Sequence, residues 1–350
     1  MQIEQIEVIN LRFTYPNEHG FWYGGGIATG RLTSLVLVHA SGGQIGIGSV
    51  YSHPDLVRTI IEGHLRPLLL GRDPRDVEDL WHFMYRQTRW YGRKGAAMSA
   101  IGGIEMACWD LRGKALGKSV ASLLGAERAA VPAYASGLLW NRDLDALGAE
   151  AQRHVANGFR RVKMRLGMSE AEDIAAVTAV RQAVGPDIGV IVDASMRYSL
   201  PVALRMARVL EKLNVFWYEE PFEPEDIDNF VALREQISVP IAAGENEFGV
   251  QGFRVRLRAG AVDIVQPDAC RDGGIGETNR VGKLAQEFGA SVATHTWSDA
   301  VALTANAHVI ASLPNGLTVE VDQTGNPFIN DLLVEPIVCL LYTSPSPRDS

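Results

Sequence analysis

The stretch VFWYEEP (215–221) runs four apolar or aromatic residues, Val215 to Tyr218, directly into two adjacent carboxylates, Glu219 and Glu220, and a proline. Such a run suits a buried strand, and Pro221 ends it. Two like charges emerging from an apolar wall repel each other and are costly to desolvate, so something at that strand end must offset them. A divalent cation would do so. Glutamates that are simply solvated at a strand end would also fit, and the stretch alone does not separate the two.

The pattern recurs on both sides. Short apolar, β-branched runs appear as VPAYASG (131–137), RVKMRLG (161–167), IGVIVDAS (188–195), VPIAAGEN (239–246), VDIVQPDA (262–269), SVATHTW (291–297) and LTVEVD (317–322). Between them lie stretches such as EAEDIAAVTAVRQAVG (170–185) and PVALRMARVLEKL (201–213), with apolar residues at helical spacing. Strands in strict alternation with helices predict a parallel sheet closed into a (β/α)8-type barrel, with an open doubly wound sheet as the alternative. RDGGIGETNR (271–280) is the nearest approach to a dinucleotide fingerprint, but its spacing is wrong for one.

Residues 1 to about 125 read differently. IEQIEVINLRF (3–13) and RLTSLVLVHASGGQIGIGSV (31–50) alternate like antiparallel strands, the second pair joined through Ser41-Gly42-Gly43. Helical stretches follow around 54–70, 75–89 and 99–116, which makes this an α+β module of its own. The Gly-rich, aromatic YPNEHGFWYGGGIATG (15–30) interrupts the first strands as a loop. MSAIGGIEMACWDLRGKALG (98–117) reads as the packed helix and turn joining the two modules.

The chain has 350 residues, 47% hydrophobic and 21% charged, which places it among globular proteins with two domains or one large barrel plus an appended part. A net charge of −8 without basic runs argues against nucleic acid as a partner. No stretch approaches the roughly 18 uninterrupted apolar residues of a membrane span. The opening MQIEQIEVIN lacks a basic segment followed by an apolar core, so no signal peptide is expected and the cytoplasm is the expected compartment. Cys108, Cys270 and Cys339 have neither metal spacing nor a disulfide framework. The final CLLYTSPSPRDS (339–350) fits nothing before it and reads as a translated sequencing adaptor. It is left out of the fold, and the natural chain is expected to continue beyond Val338.

In a βα barrel the functional side chains lie at the C-terminal strand ends. Read in order, those ends carry Lys163 and Arg165, Asp193, Glu219 and Glu220, Glu245 and Asn246, Asp268, His295, and Glu320. Asp193, Glu219 and Glu245 follow one another at equal intervals of 26 residues (219 − 193 and 245 − 219), one βα unit each. Three hard oxygen donors on adjacent strands suit an octahedral Mg²⁺ that keeps positions open for substrate. Glu219 is then a ligand, and Glu220 lies behind it.

With these motifs the sequence resembles the enolase superfamily, and within it the mandelate racemase subgroup. The resemblance spans the chain to Val338: VKMRLG matches the Lys-x-Lys/Arg motif, VDAS, YEEP and GEN the metal ligands, and QPDA with ATHTW the Asp-His pair. It implies an α/β fold, a modified (β/α)7β TIM-type barrel over 126–325 with an N-terminal α+β capping domain over 1–125. Residues 326–338 would begin a C-terminal return to the cap. It further implies a Mg²⁺ cofactor and abstraction of the proton α to a carboxylate, giving an enediolate. His295 would be the base, oriented by Asp268, with Lys163 supplying positive charge. Glu320 could hydrogen-bond the substrate carboxylate. Trp22 and Tyr23 could wall a mobile lid, and Tyr91, Arg93 and Lys94 could bind a polyhydroxy acid, or form a solvated basic turn instead. Asn246 is a further substrate-side candidate. The expected state is a homo-oligomer acting on a small-molecule carboxylate, without nucleic acid or membrane.

Racemisation needs a base on each face of the α-carbon. Where racemases of the subgroup carry a second lysine, this chain has Arg165, whose guanidinium is essentially never neutral. One base suffices for β-elimination. The expectation is therefore a carbon–oxygen lyase that dehydrates an aldonate or aldarate to a 2-keto-3-deoxy acid. A racemase or epimerase using Lys163 as the second base is the alternative, and a non-catalytic binding barrel a more distant one.

Overall fold

The computed structural model describes residues 1–16, 20–23 and 26–334, the side chains of Trp22 and Tyr23 excepted. The segment 339–350 therefore lies outside the described residues, and the 326–338 return is described only as far as Val334.

Alternating burial along β1 (Ile3–Thr14) presents Ile6 and Val8 to one side, and a register shift between Ile3 and Gln5 brings Ile3 into the same core. A short ribbon of β2 (Phe21–Tyr23) and β3 (Gly26–Ala28) follows, so the stretch read as a loop contains an antiparallel pair. β4 (Gly30–Ala40) and β5 (Gln44–Val50) complete a sheet of order β1-β4-β5, closed by the tight turn at Ser41-Gly42-Gly43. Against it pack a helix over 54–69 that contains one π-helical turn, Ile61–Leu65, and the helices Val77–Thr88 and Ala96–Leu116. Ile6, Val36 and Val38 meet Ile61, Leu65 and Ile104 in this core. The last helix lies almost on the sheet: a Cβ on Gly48 would sit 2.0 Å from Gly103 O, so only glycine permits the approach.

The second core belongs to a barrel. β6 (Ala133–Ser136), β7 (Arg161–Arg165), β8 (Gly189–Asp193), β9 (Trp217–Glu219), β10 (Ile241–Ala243), β11 (Ile264–Val265), β12 (Ser291–Thr294) and β13 (Gly316–Asp322) close into a parallel ring in chain order. A helix separates each strand from the next, but none of comparable length follows β13 among the described residues, which gives the expected (β/α)7β form. Side-chain direction alternates along each strand. Val190, Val192 and Tyr218 face the helices, whereas Tyr134, Ile191, Trp217, Ala242, Ile264 and Ala293 fill the barrel floor.

Backbone strain concentrates above that floor. Leu138, Ser195, Met196 and Glu220 have φ between 35° and 61°, a region L-residues rarely adopt, and each lies just beyond a barrel strand end. No helix among the described residues is long and apolar enough to cross a membrane.

Candidate active site

Period-two alternation builds the site. Two residues past the floor residues Ile191 and Trp217 stand Asp193 and Glu219, and strand register puts Arg165, Asp193 and Glu219 at one level. Glu245 arrives just after β10, past Gly244. One carboxylate oxygen each from Asp193, Glu219 and Glu245 lie within 4.8 Å of one another. Ligand distances of about 2.1 Å would draw such oxygens roughly 3–4 Å apart, a small closure from this arrangement.

The donor set fits a hard divalent cation. Glu245 Oε2 is buried with no hydrogen-bond partner. The other carboxylates are aimed by bonds to their remaining oxygens: Trp217 Nε1 donates to Glu219 Oε2 at 3.0 Å, and Ser195 N–H to Asp193 Oδ1 at 2.8 Å. Lys163 Nζ reaches in from β7, 3.1 Å from Asp193 and 3.2 Å from Glu320, and also donates to Glu219. Arg165 pairs with Asp193 and lies over the Trp297 ring at 5.1 Å. Asp193, Glu219, Glu220, Glu245 and Glu320 thus outnumber the two cations. Burial, with the charges of Glu245 and Glu219, pushes Glu220 up to about 8. Added positive charge is what this cluster favours.

Beside the carboxylates, His295 Nδ1 lies 2.8 Å from Asp268 Oδ2. Asp268, buried and acceptor-only when ionised, favours a proton on Nδ1, and Nε2 points the other way, 3.6 Å from Glu245 Oε2. Burial lowers the His295 pKa, but the charges of Glu245, Glu320 and Asp268 and the Asp268 hydrogen bond outweigh it and the net direction is up. Lys163 behaves alike: burial lowers it, Glu219 and Glu320 raise it, and the balance is upward. Glu320 accepts Thr296 N–H at 2.9 Å on the oxygen turned from Lys163.

Several contributors are not evident from strand ends. Asn306, inside the helix Ala300–Ser312, donates to Asp268 Oδ1 at 3.0 Å and His295 O at 3.1 Å, and accepts Ala269 N–H at 3.0 Å. Only a polar residue in an apolar helical stretch could have hinted at it. Tyr51, just past β5 of the cap, stacks on His295 with ring centroids 6.2 Å apart, and Arg271 lies over Tyr51 at 5.3 Å. Arg31 of β4 pairs with Asp322 at 3.1 Å and stacks on Trp297 at 4.6 Å, tying the cap to the barrel mouth.

The remaining candidates are placed variously. Asn246 donates to Glu220 Oε2 at 3.4 Å and accepts from Arg271 at 3.1 Å, so it borders the carboxylate cluster. Lys94 pairs with the buried Glu247 at 2.6 Å. Tyr91 packs edge-on against His64 and Trp90 within the cap. Arg93 is exposed and has no ion pair among the described residues. Trp22 and Tyr23 form part of β2, but their side chains lie outside the described residues.

Comparison with known proteins agrees with this fold. The family described as "Enolase C-terminal domain-like" matches residues 146–339, and "Mandelate racemase / muconate lactonizing enzyme, N-terminal domain" matches 26–125. The chain is 36% identical over 305 residues to arabinonate dehydratase of Saccharolobus solfataricus, covering 86% of this chain and 82% of that protein. It is 32% identical over 319 residues to D-galactarolactone cycloisomerase of Agrobacterium fabrum, covering 88% and 84%. The crystal structure of a racemase from Streptomyces coelicolor with bound magnesium superposes with a TM-score of 0.85 at 29% identity, covering 91% of this chain and 89% of that one.

Proposed function

The chain belongs to the enolase superfamily, in its mandelate racemase subgroup, and from that premise we propose that it is a Mg²⁺-dependent acid-sugar dehydratase. It would remove the proton α to a carboxylate and the 3-hydroxyl of an aldonate or aldarate, giving a 2-keto-3-deoxy acid. The observation that carries this reading is the asymmetry of the bases. His295 is an imidazole held by Asp268 at Nδ1 with Nε2 turned toward Glu245, whereas Lys163 is ion-paired with three carboxylates that favour its ammonium and Arg165 cannot deprotonate.

Asp193, Glu219 and Glu245 would hold the metal, which when bound supplies a Lewis acid beside the substrate carboxylate. His295 Nε2 takes the α-proton while Asp268 stabilises the resulting imidazolium. Lys163 donates a hydrogen bond to the carboxylate as negative charge gathers there, and the buried setting strengthens that bond. The electron pair of the cleaved C–H bond forms the C2–C3 double bond, and the C3–O bond breaks. The departing hydroxide leaves as water with the proton returned by the imidazolium. The enol then tautomerises to the 2-keto acid. Similarity to arabinonate dehydratase supports this class of substrate, since that relative's name specifies an acid sugar.

Incubation with Mg²⁺ and a panel of acid sugars in D₂O tests the proposal. A dehydratase forms 2-keto-3-deoxy acid. A deuterated diastereomer would mean an epimerase using Lys163, and binding without either product would mean a non-catalytic barrel. Either of the last two outcomes overturns the reading.

A further inference from the structure

Two stretches conspicuous in the sequence, 98–117 and 271–280, take no part in the chemistry above, and the fold sets them against each other. The loop 269–274 leaves Asp268 and runs into the helix Ile275–Glu287. The capping module grips this segment throughout. Tyr51 N–H donates to Cys270 O at 3.1 Å, Ser99 Oγ to Arg271 O at 3.0 Å, and Trp81 Nε1 to Gly273 O at 2.7 Å. Glu105, on the long helix Ala96–Leu116, accepts Ile275 N–H on one carboxylate oxygen and Gly276 N–H on the other, both at 2.8 Å. Trp109 Nε1 adds a third donor at 2.7 Å. The first N–H groups of a helix have no partner within it, and here a buried carboxylate of the other module supplies one.

The approach is close because no side chain intervenes. A Cβ on Gly102 would lie 2.8 Å from Gly274 N and 3.0 Å from Ala269 O. Between its anchors the loop is stiff: Arg271 and Asp272 N–H both donate to Asp268 O at 2.8 Å, and Thr278 Oγ1 donates to Asp272 at 2.8 Å. Cys270 N–H returns to the Asp268 carboxylate at 3.1 Å. A shift of the segment is therefore passed to Asp268.

Resting on the reading of His295 and Asp268 as the proton-abstracting pair, we propose that Glu105 is a positioning residue. Its carboxylate clamps the loop that starts at Asp268 onto the capping module and so sets Asp268 beneath His295. Proton abstraction then depends on docking of the cap by a route that touches no substrate.

Glu105→Gln puts an NH₂ against a backbone N–H, and Gly102→Ala wedges the helix from the loop. Each should lower kcat about 10–10²-fold, the effect of a small misplacement of a catalytic group. KM and Mg²⁺ affinity should stay within about twofold, because substrate and metal contacts are untouched. In an Asp268→Asn background the same changes should cost little more, since the route is already broken; a merely structural role would lower both backgrounds alike. The proton NMR resonance of His295 Nδ1–H, identified by its loss in Asp268→Asn, should broaden or shift in both variants. That readout needs no turnover, so the clamp is tested even if the dehydratase reading fails on wild-type protein. If Glu105→Gln does not fold, Gly102→Ala carries the same test. Folded variants with wild-type kcat and an unchanged resonance overturn the clamp.

Discussion

His295 gives one ring nitrogen to Asp268 at 2.8 Å and turns the other toward Glu245 at 3.6 Å, so a single imidazole spans the acidic pair and the carboxylate cluster. Asp268→Asn keeps the shape but offers an amide that can donate to Nδ1 and so favour the wrong tautomer. Dehydration should then slow by up to about 10⁴-fold with Mg²⁺ affinity retained. Unchanged kcat in the folded variant would remove Asp268 from the mechanism.

Metal dependence should be complete. EDTA should abolish activity and Mg²⁺ restore it, and Glu245→Gln should be inactive while the far-ultraviolet circular dichroism stays that of the barrel. Because the cation binds only the assembled carboxylates, Mg²⁺ at about 100 times its Kd should stabilise the wild type by about 2.7 kcal/mol. The increment should vanish in Glu245→Gln. Full turnover in a metal-free preparation would contradict the assignment.

Lys163→Ala should lose about 10²–10³-fold in both dehydration and α-proton exchange, the usual worth of one group that stabilises developing charge. Its Mg²⁺-free form should also be less stable, since Asp193, Glu219 and Glu320 lose their shared ammonium. Exchange at the wild-type rate in this variant would show that Lys163 does not stabilise the enolate.

Burial pushes Glu105 from 4.5 up to about 7, against the lowering effect of the Gly276, Trp109 and Ile275 donors and Arg280. The folded protein thus holds a proton that the unfolded chain releases near pH 4.5. This contribution to stability is full below that pH and is lost as pH rises through about 7. Relative to Glu105→Gln, which does not titrate, wild type should lose on the order of 2–3 kcal/mol of unfolding free energy between pH 4.5 and 8. Urea midpoints of the two proteins at both pH values measure it. A difference that does not change with pH would contradict the shift.

The barrel is legible in the sequence because period-two burial and the 26-residue interval repeat: Asp193 and Glu219 each stand two residues beyond a floor residue, Ile191 and Trp217. The same alternation brings Lys163, Glu320 and His295 to one mouth. The ribbon Phe21–Tyr23 with Gly26–Ala28 is not legible, because three-residue strands have no period to detect. Tyr51 and Arg31 reach the mouth only through docking of two modules, which no local pattern encodes. Asn306 and Glu105 likewise sit inside helices, where a polar residue reads as a packing irregularity until its distant partners Asp268 and Ile275 come into place.

The central claim is that His295 is the sole base, and deuterium incorporation at C2 by His295→Asn in D₂O tests it most directly. Both C2 epimers of any acid sugar that the wild type dehydrates should be used, with Mg²⁺ present. The account predicts no exchange with either epimer and dehydration reduced by at least about 10²–10⁴-fold, the worth of a general base. Exchange that persists with the opposite epimer, and disappears when Lys163 is also removed, would make that lysine a second base and the protein an epimerase.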